Sequence, residues 1–257
     1  MPKFAANLSM LFTEQPFLER FKAASEHGFE FIEYLFPYEW PAELLAKQLQ
    51  RHKLQQVLFN LPPGNWGAGE RGIACLPDRI AEFETGIDQA INYAKILGVT
   101  QVNCLAGLAP KHIEHRILWQ TFCSNIDYAA QRFQEHGITL LIEPINSKVD
   151  MPHFFIDTLE KVLNIISELK HSNIKIQFDI YHMQIMQGNI IRSLEKHLTS
   201  IAHIQFADNP GRHEPGTGEL NFNTIFKYLD KLNYTGYVSA EYVPLQNTSR
   251  SLHWFSH

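Results

Sequence analysis

Apolar residues along this chain follow two rhythms that take turns. Short runs rich in β-branched and aromatic residues read as strands: 4–12 (FAANLSMLF), 31–36 (FIEYLF), 55–60 (QQVLFN) and 100–107 (TQVNCLAG) in the first half. The second half adds 138–145 (ITLLIEPI), 174–180 (IKIQFDI), 202–208 (AHIQFAD) and 236–243 (GYVSAEYV). Between them lie longer stretches with helical spacing, at 16–29, 41–54, 78–97, 113–135, 154–170, 189–200 and 222–232. Pro16 near the start and Gly28 near the end of the first of these are the expected helix punctuation. Strands alternating with helices imply parallel pairing. Eight such units in about 250 residues are the size of a (β/α)8 TIM barrel. No linker or composition break interrupts the rhythm, so residues 1–257 read as one domain. An open, doubly wound sheet is the competing architecture. The weak point of the closed barrel is its eighth helix, for which only 13 residues follow Pro244.

The barrel reading gives meaning to a carboxylate that otherwise has none. Glu143 stands at the far end of a buried strand, and barrel active sites lie at that end. The last four strands all finish this way, on Glu143, Asp179, Gln205 and Glu241. Side chains alternate faces along a strand, so Lys175, Gln177 and Asp179 share one face and His203 and Gln205 another. Their apolar neighbours meet the helices, which turns the polar set inward. Three crowded carboxylates repel one another, and a divalent cation resolves that. An all-oxygen set suits a hard ion, Mg²⁺ or Mn²⁺. His182, three residues beyond Asp179, is placed on the departing loop within reach of a substrate oxygen. His203 reads as a hydrogen-bonded core histidine, with Glu33 a partner for it or for Lys175.

The segment GAGERG at 67–72 matches a dinucleotide fingerprint in letters only. No helix opens there to receive a pyrophosphate, since Pro77 intervenes. The whole loop LPPGNWGAGERG, 61–72, reads instead as a long cover over the barrel mouth, with Trp66 excluding water and Glu70 and Arg71 as polar contacts. The formal charge is −5, with 22 Lys and Arg against 27 Asp and Glu, and no basic block occurs. That argues against nucleic acid as partner. No apolar run approaches the roughly 18 residues of a membrane span. The three cysteines form no paired motif, and the N-terminus lacks signal-peptide regions, so a reduced, cytoplasmic chain is expected. A homo-oligomer is compatible with all of this.

Several segments resemble the hydroxypyruvate isomerases, within the xylose-isomerase-like barrels: FAANLSMLF, FIEYLFPY, NLPPGNWGAGERGIACLP, LLIEPIN, FDIYHMQ, GRHEPGTGE and AEYVP. The resemblance runs along nearly the whole chain. It implies that Glu143 and Glu241 are an acid/base pair, that Glu143, Asp179, Gln205 and Glu241 hold the metal, and that His182 and Arg212 contact substrate. The implied reaction interconverts hydroxypyruvate and tartronate semialdehyde through an enediolate. Related isomerases take four-carbon 2-oxo acids. Arg71, Lys111 and Arg212 are the cations placed to receive the substrate carboxylate, with Arg71 and Arg212 foremost. Gln205 departs from the histidine common in the wider superfamily. Some barrels of that superfamily are endonucleases with a histidine-rich zinc cluster, a pattern poorly matched by one histidine among these strand-end residues.

Overall fold

Eight strands carry the apolar runs in the structure, a computed structural model describing residues 2–255: β1 (Lys3–Asn7), β2 (Phe31–Glu33), β3 (Gln55–Asn60), β4 (Gln101–Cys104), β5 (Thr139–Ile142), β6 (Ile174–Asp179), β7 (Ile201–Phe206) and β8 (Tyr237–Ala240). Each pairs in parallel with the next, and β8 closes on β1 through Lys3 opposite Tyr237 and Ala6 opposite Ala240. Closure decides between the two expected architectures: this is a (β/α)8 barrel, and it leaves no strand edge exposed.

The helices form the outer layer: α1 (Phe17–Glu26), α2 (Ala42–His52), α3 (Ile80–Leu97), α4 (His115–Gln134), α5 (Leu159–Leu169), α6 (Ile180–Met186), α7 (Ile190–His197), α8 (Phe222–Lys231) and α9 (Thr248–Ser251). Their apolar stripes bury residues such as Phe21, Leu45, Ile87, Phe122, Val162 and Leu194 against the outward faces of the strands. None is long and apolar enough to cross a membrane.

Three elements differ from the sequence reading. β1 stops at Asn7, although the apolar run continues to Phe12. The Asn7 carbonyl accepts from the amides of Met10 (3.1 Å) and Leu11 (2.8 Å), which turns the chain, while Leu8, Leu11 and Phe12 stay buried in the turn. The helix expected over 154–170 starts only at Leu159. Phe154, Phe155 and Ile156 are buried ahead of it, and the Thr158 side chain caps it by accepting from the Lys161 amide. The eighth helix is a single turn, α9, followed by a 3₁₀ turn at Leu252–Trp254. Aromatic rings make up for the missing length. Trp254 packs edge-on to Phe4 (5.2 Å) and Phe206 (4.9 Å), and Phe255 stacks on Phe29 at 4.2 Å.

A strap over residues 61–79 lies against the segment after β4. Gly72 has φ +100°, and a Cβ there would fall 2.2 Å from the Leu105 carbonyl oxygen, so only glycine permits this approach. Cys75 beside it donates its amide to Ala106 (2.9 Å). Cys75, Cys104 on β4 and Cys123 on α4 are all buried free thiols.

Candidate active site

The interior-facing position at the C-terminal end of every strand is polar. In chain order these residues are Asn7, Glu33, Asn60, Asn103, Glu143, Asp179, Gln205 and Glu241, none more than 5% exposed. The alternation that points the last four inward points the first four inward as well. Two hydrogen-bonded chains result. In one, Asn7 Nδ2 donates to both Glu33 Oε1 (2.9 Å) and Glu241 Oε1 (3.0 Å). Gln205 Nε2 donates to the same Glu33 oxygen (2.7 Å), and Gln177 Nε2 donates to Gln205 Oε1 (2.6 Å). In the other, Asn103 Nδ2 donates to Asn60 Oδ1 (3.2 Å) and to Glu143 Oε2 (3.1 Å).

Glu33 is the anchor of the first chain. Its second oxygen lies 2.6 Å from His203 Nε2, both groups fully enclosed. Burial alone would push the Glu33 carboxyl up, but the charge and hydrogen bond of His203 outweigh it and hold the group below its ordinary value. His203 is therefore a core partner, as expected, and Glu33 is its counterpart. Lys175 lies elsewhere, donating to the Thr199 carbonyl (3.1 Å).

Glu143, Asp179 and Glu241 are the uncompensated acids. Burial pushes the Glu143 carboxyl well up, and the charges of Glu241 and Asp179 push it further. Glu241 is raised for the same first reason, with Arg212 opposing. Burial takes Asp179 up to about 6, against the pull of Arg212 and the amides of Tyr181 and His182. Arg212, half-buried, is the cation of the group. Its Nη2 donates to Glu241 Oε2 (3.2 Å), and its guanidinium lies over the Tyr181 ring (5.1 Å). Arg212 is held in place by the loop after β7, where the Asp208 carboxylate accepts from the amides of Gly216, Gly218 and Leu220.

His182 stands in the first turn of α6 rather than on a loop. The helix begins directly after β6 because Asp179 caps it, accepting from the Tyr181 amide (2.8 Å). That brings His182 Nε2 to 3.5 Å from Asp179 Oδ2 and 3.8 Å from Glu143 Oε1. Burial, then Arg212, holds its imidazole far below the ordinary value, so it is neutral. Glu143, Asp179 and His182 each bring a donor atom within 4.8 Å of the others. The buried Asp179 Oδ2 has no hydrogen-bond partner. An orphaned carboxylate oxygen among three crowded acids fits a bound divalent cation, so the cluster can hold a metal.

The strap residues stand apart from this cluster in their contacts. Glu70 is taken up by Arg79 (2.6 Å) and by the Asn65 amide (2.5 Å). Arg71 donates to the carbonyls of Glu70 (2.7 Å) and Trp66 (3.2 Å), with its guanidinium 4.1 Å from the Trp66 ring centre. Trp66 in turn packs on Phe36 (5.1 Å). Lys111 is exposed. Asn146 and Asp150, beyond β5, were not singled out in the sequence, yet they contact His182 directly.

Comparison with known proteins places the site in context. A model of the xylose isomerase-like TIM barrel family matches residues 21–256. A 2-oxo-tetronate isomerase of Pectobacterium atrosepticum is 46% identical over 254 residues, covering 99% of this chain and 97% of that protein. A hydroxypyruvate isomerase of Escherichia coli is 44% identical, covering 99% and 98%. A solved structure from Brucella melitensis, described as an AP endonuclease of family 2, superposes with a TM-score of 0.96 at 42% identity, covering 99% and 98%.

Proposed function

The chain belongs to the xylose isomerase-like TIM barrel family and is an isomerase, and from that premise we propose that it interconverts hydroxypyruvate and tartronate semialdehyde, with Glu143 and Glu241 as the proton carriers. The observation that carries the reading is the convergence of these two buried glutamates on Asp179, with Arg212 against Glu241. Burial shifts both carboxyls upward, toward holding a proton, and neighbouring carboxylates add to the shift.

Glu143, Asp179, Gln205 and Glu241 would hold one Mg²⁺ or Mn²⁺. The ion would draw charge from the substrate oxygens and acidify the neighbouring C–H bond. Gln205 is held for this role at both ends: its amide nitrogen donates to Glu33, and its carbonyl oxygen accepts from Gln177 Nε2, leaving one oxygen lone pair for an ion. In the forward direction one glutamate removes a proton from the hydroxymethyl carbon, and an enediolate forms. The other glutamate delivers a proton to the carbon that bore the ketone. The hydroxyl proton of the first carbon ends on the oxygen of the second, so atoms balance. His182 faces the substrate oxygens, and Arg212 receives the substrate carboxylate. Arg71 and Glu70 serve through the strap: Arg71 stiffens Trp66 above the mouth, and Glu70 ties the strap to Arg79. A strap that closed over a bound acid would bring both to it as polar contacts.

A four-carbon substrate is the second reading, favoured because three of the similar proteins are named 2-oxo-tetronate isomerases. The test is turnover of three- and four-carbon 2-oxo acids side by side, after chelation and after Mg²⁺ or Mn²⁺ is added back. Metal-restored isomerisation of hydroxypyruvate is expected. Full activity in chelator, or no turnover of either acid, would overturn the proposal. Cleavage of abasic DNA in the same preparation would favour endonuclease chemistry, which the formal charge of −5 makes a poor fit.

A further inference from the structure

His182 has two ring nitrogens, and the residues beyond β5 decide which one carries the proton. Asn146 is fully buried, and its Oδ1 accepts from the amides of Val149 (3.0 Å) and Asp150 (2.9 Å). A side-chain amide has one oxygen and one nitrogen, so this pair of backbone donors fixes which way it faces. The Nδ2 end must point to the other side. There it meets two acceptors, Asp150 Oδ2 in a short hydrogen bond and His182 Nδ1 at 2.7 Å. Two N–H groups serve two acceptors, and none is left over. An imidazole nitrogen that accepts a hydrogen bond has a lone pair, so in the neutral ring the proton sits on the other nitrogen.

We infer that Asn146 is a positioning residue that locks His182 as the Nε2–H tautomer, a neutral hydrogen-bond donor facing Asp179 and Glu143, and not a metal ligand. The inference rests on the isomerase reading for its purpose, but its geometry stands without it. Nε2 looks toward Asp179 Oδ2 and Glu143 Oε1 at 3.5 and 3.8 Å, the region where the reacting oxygens would lie. A proton there can stabilise charge growing on a substrate oxygen. The same proton occupies the lone pair that a metal would need. The cluster of Glu143, Asp179 and His182 is therefore two oxygen ligands and one donor. Asp150 acts one step further out. It accepts from Asn146 and lies 3.8 Å from His182 Nδ1, and without it the second N–H of Asn146 would lose its partner.

The test is nitrogen NMR of the imidazole in the Mg²⁺-loaded protein, with the His182 signals identified by their loss in His182→Gln. The expected spectrum has a protonated Nε2 and a lone pair on Nδ1. A protonated Nδ1 in the native protein overturns the inference, whatever any variant does. The paired substitution Asn146→Asp with Asp150→Asn exchanges donor and acceptor while an oxygen still meets the two backbone amides. It should reverse the two nitrogen signals and lower kcat by about 10²–10⁴-fold, with KM much less affected. It should also free Nε2 to ligate, raising Co²⁺ affinity about 10- to 100-fold. Unchanged nitrogen signals in the folded double variant, or unchanged kcat after reversal, overturn the inference. If the native spectrum is as expected but neither acid turns over, the functional reading falls and the assignment of His182 stands.

Discussion

Residue by residue, the site separates groups that carry charge from groups that aim them. Glu143 and Glu241 are proposed to do both metal binding and proton transfer, and glutamine divides the two duties. It keeps a ligating oxygen but accepts no proton at neutral pH. Glu143→Gln and Glu241→Gln should each fold and bind metal weakly, with turnover down on the order of 10²–10⁴-fold. The double variant should be little worse than either single one, because the pair acts as a unit. Turnover with saturating metal, together with exchange of the substrate's carbon-bound hydrogen in D₂O, checks this. A single variant with native turnover and exchange would reduce that glutamate to a ligand. Arg212 makes a separate prediction. Arg212→Ala should lower kcat/KM for the acid by about 1.5–3 kcal/mol, the worth of a charge-assisted hydrogen bond. It should cost much less for a ketone of the same length lacking the carboxylate. Equal losses on both would show that Arg212 serves Glu241 instead. The strand-end positions of Glu143, Asp179 and Glu241 are legible because charge on an apolar strand is conspicuous, and Gln205 follows from its matching place on the strand between Asp179 and Glu241. Asn7, Asn60, Asn103 and Asn146 are not, because a neutral amide in a strand end or loop looks like ordinary turn chemistry. The same period-2 count would have found the first three.

At the scale of elements, the strands and major helices follow from the two apolar rhythms, and the departures have local causes. An asparagine carbonyl that accepts two amides ends β1 inside an apolar run, and Asp179 starts α6 where a loop was expected. Neither cause leaves a mark in hydrophobic periodicity. The C-terminal turn shows how a short element holds its place. Thr248 is buried, its Oγ1 accepting from the Phe12 amide (2.6 Å). Glu14 accepts from the Thr248 amide (2.6 Å) and from its hydroxyl (3.1 Å). Thr248→Val keeps the shape but leaves the Phe12 amide buried without a partner, at a cost of about 1–3 kcal/mol. A thermal or urea melt measures it. Glu14 adds a pH dependence. Burial pushes its carboxyl up, but the amide of Thr248, its own amide, the Thr248 hydroxyl and the charge of Arg20 together hold it below its ordinary value. A depressed carboxylate stabilises the fold above its unfolded pKa, and that support is lost as pH falls through the folded pKa. Thr248→Val should therefore flatten part of the loss of stability below about pH 4. An unchanged acid limb would show that the backbone amides and Arg20 set the shift without the hydroxyl.

For the whole molecule, a closed barrel gathers one polar residue from each strand into a single enclosed layer. Its charges are balanced on one side, where Glu33 meets His203, and unbalanced on the other, where three acids, Glu143, Asp179 and Glu241, meet the half-buried Arg212. A cation bound at the second set would stabilise the folded state by mass action, about 2.7 kcal/mol at a hundredfold excess over Kd. Mg²⁺ or Mn²⁺ should therefore raise the Tm of the chelated protein. Glu143→Gln, with one fewer repelling charge, should melt no lower than the native protein in chelator and gain less from added metal. A native Tm indifferent to both ions would remove the metal from the site.

The three buried thiols offer a clock that the molecule carries for itself. Burial pushes Cys75 up to about 12 and Cys123 up to about 11, and raises Cys104 as well, so none is reactive while its surroundings stay closed. They sit in three different layers: in the strap itself, in the barrel wall and in an outer helix. A thiol reagent thus times the opening of each layer without any engineered label. The strap, held at one edge by a glycine contact, should open first and modify Cys75. Cys104 should wait for the wall itself to part.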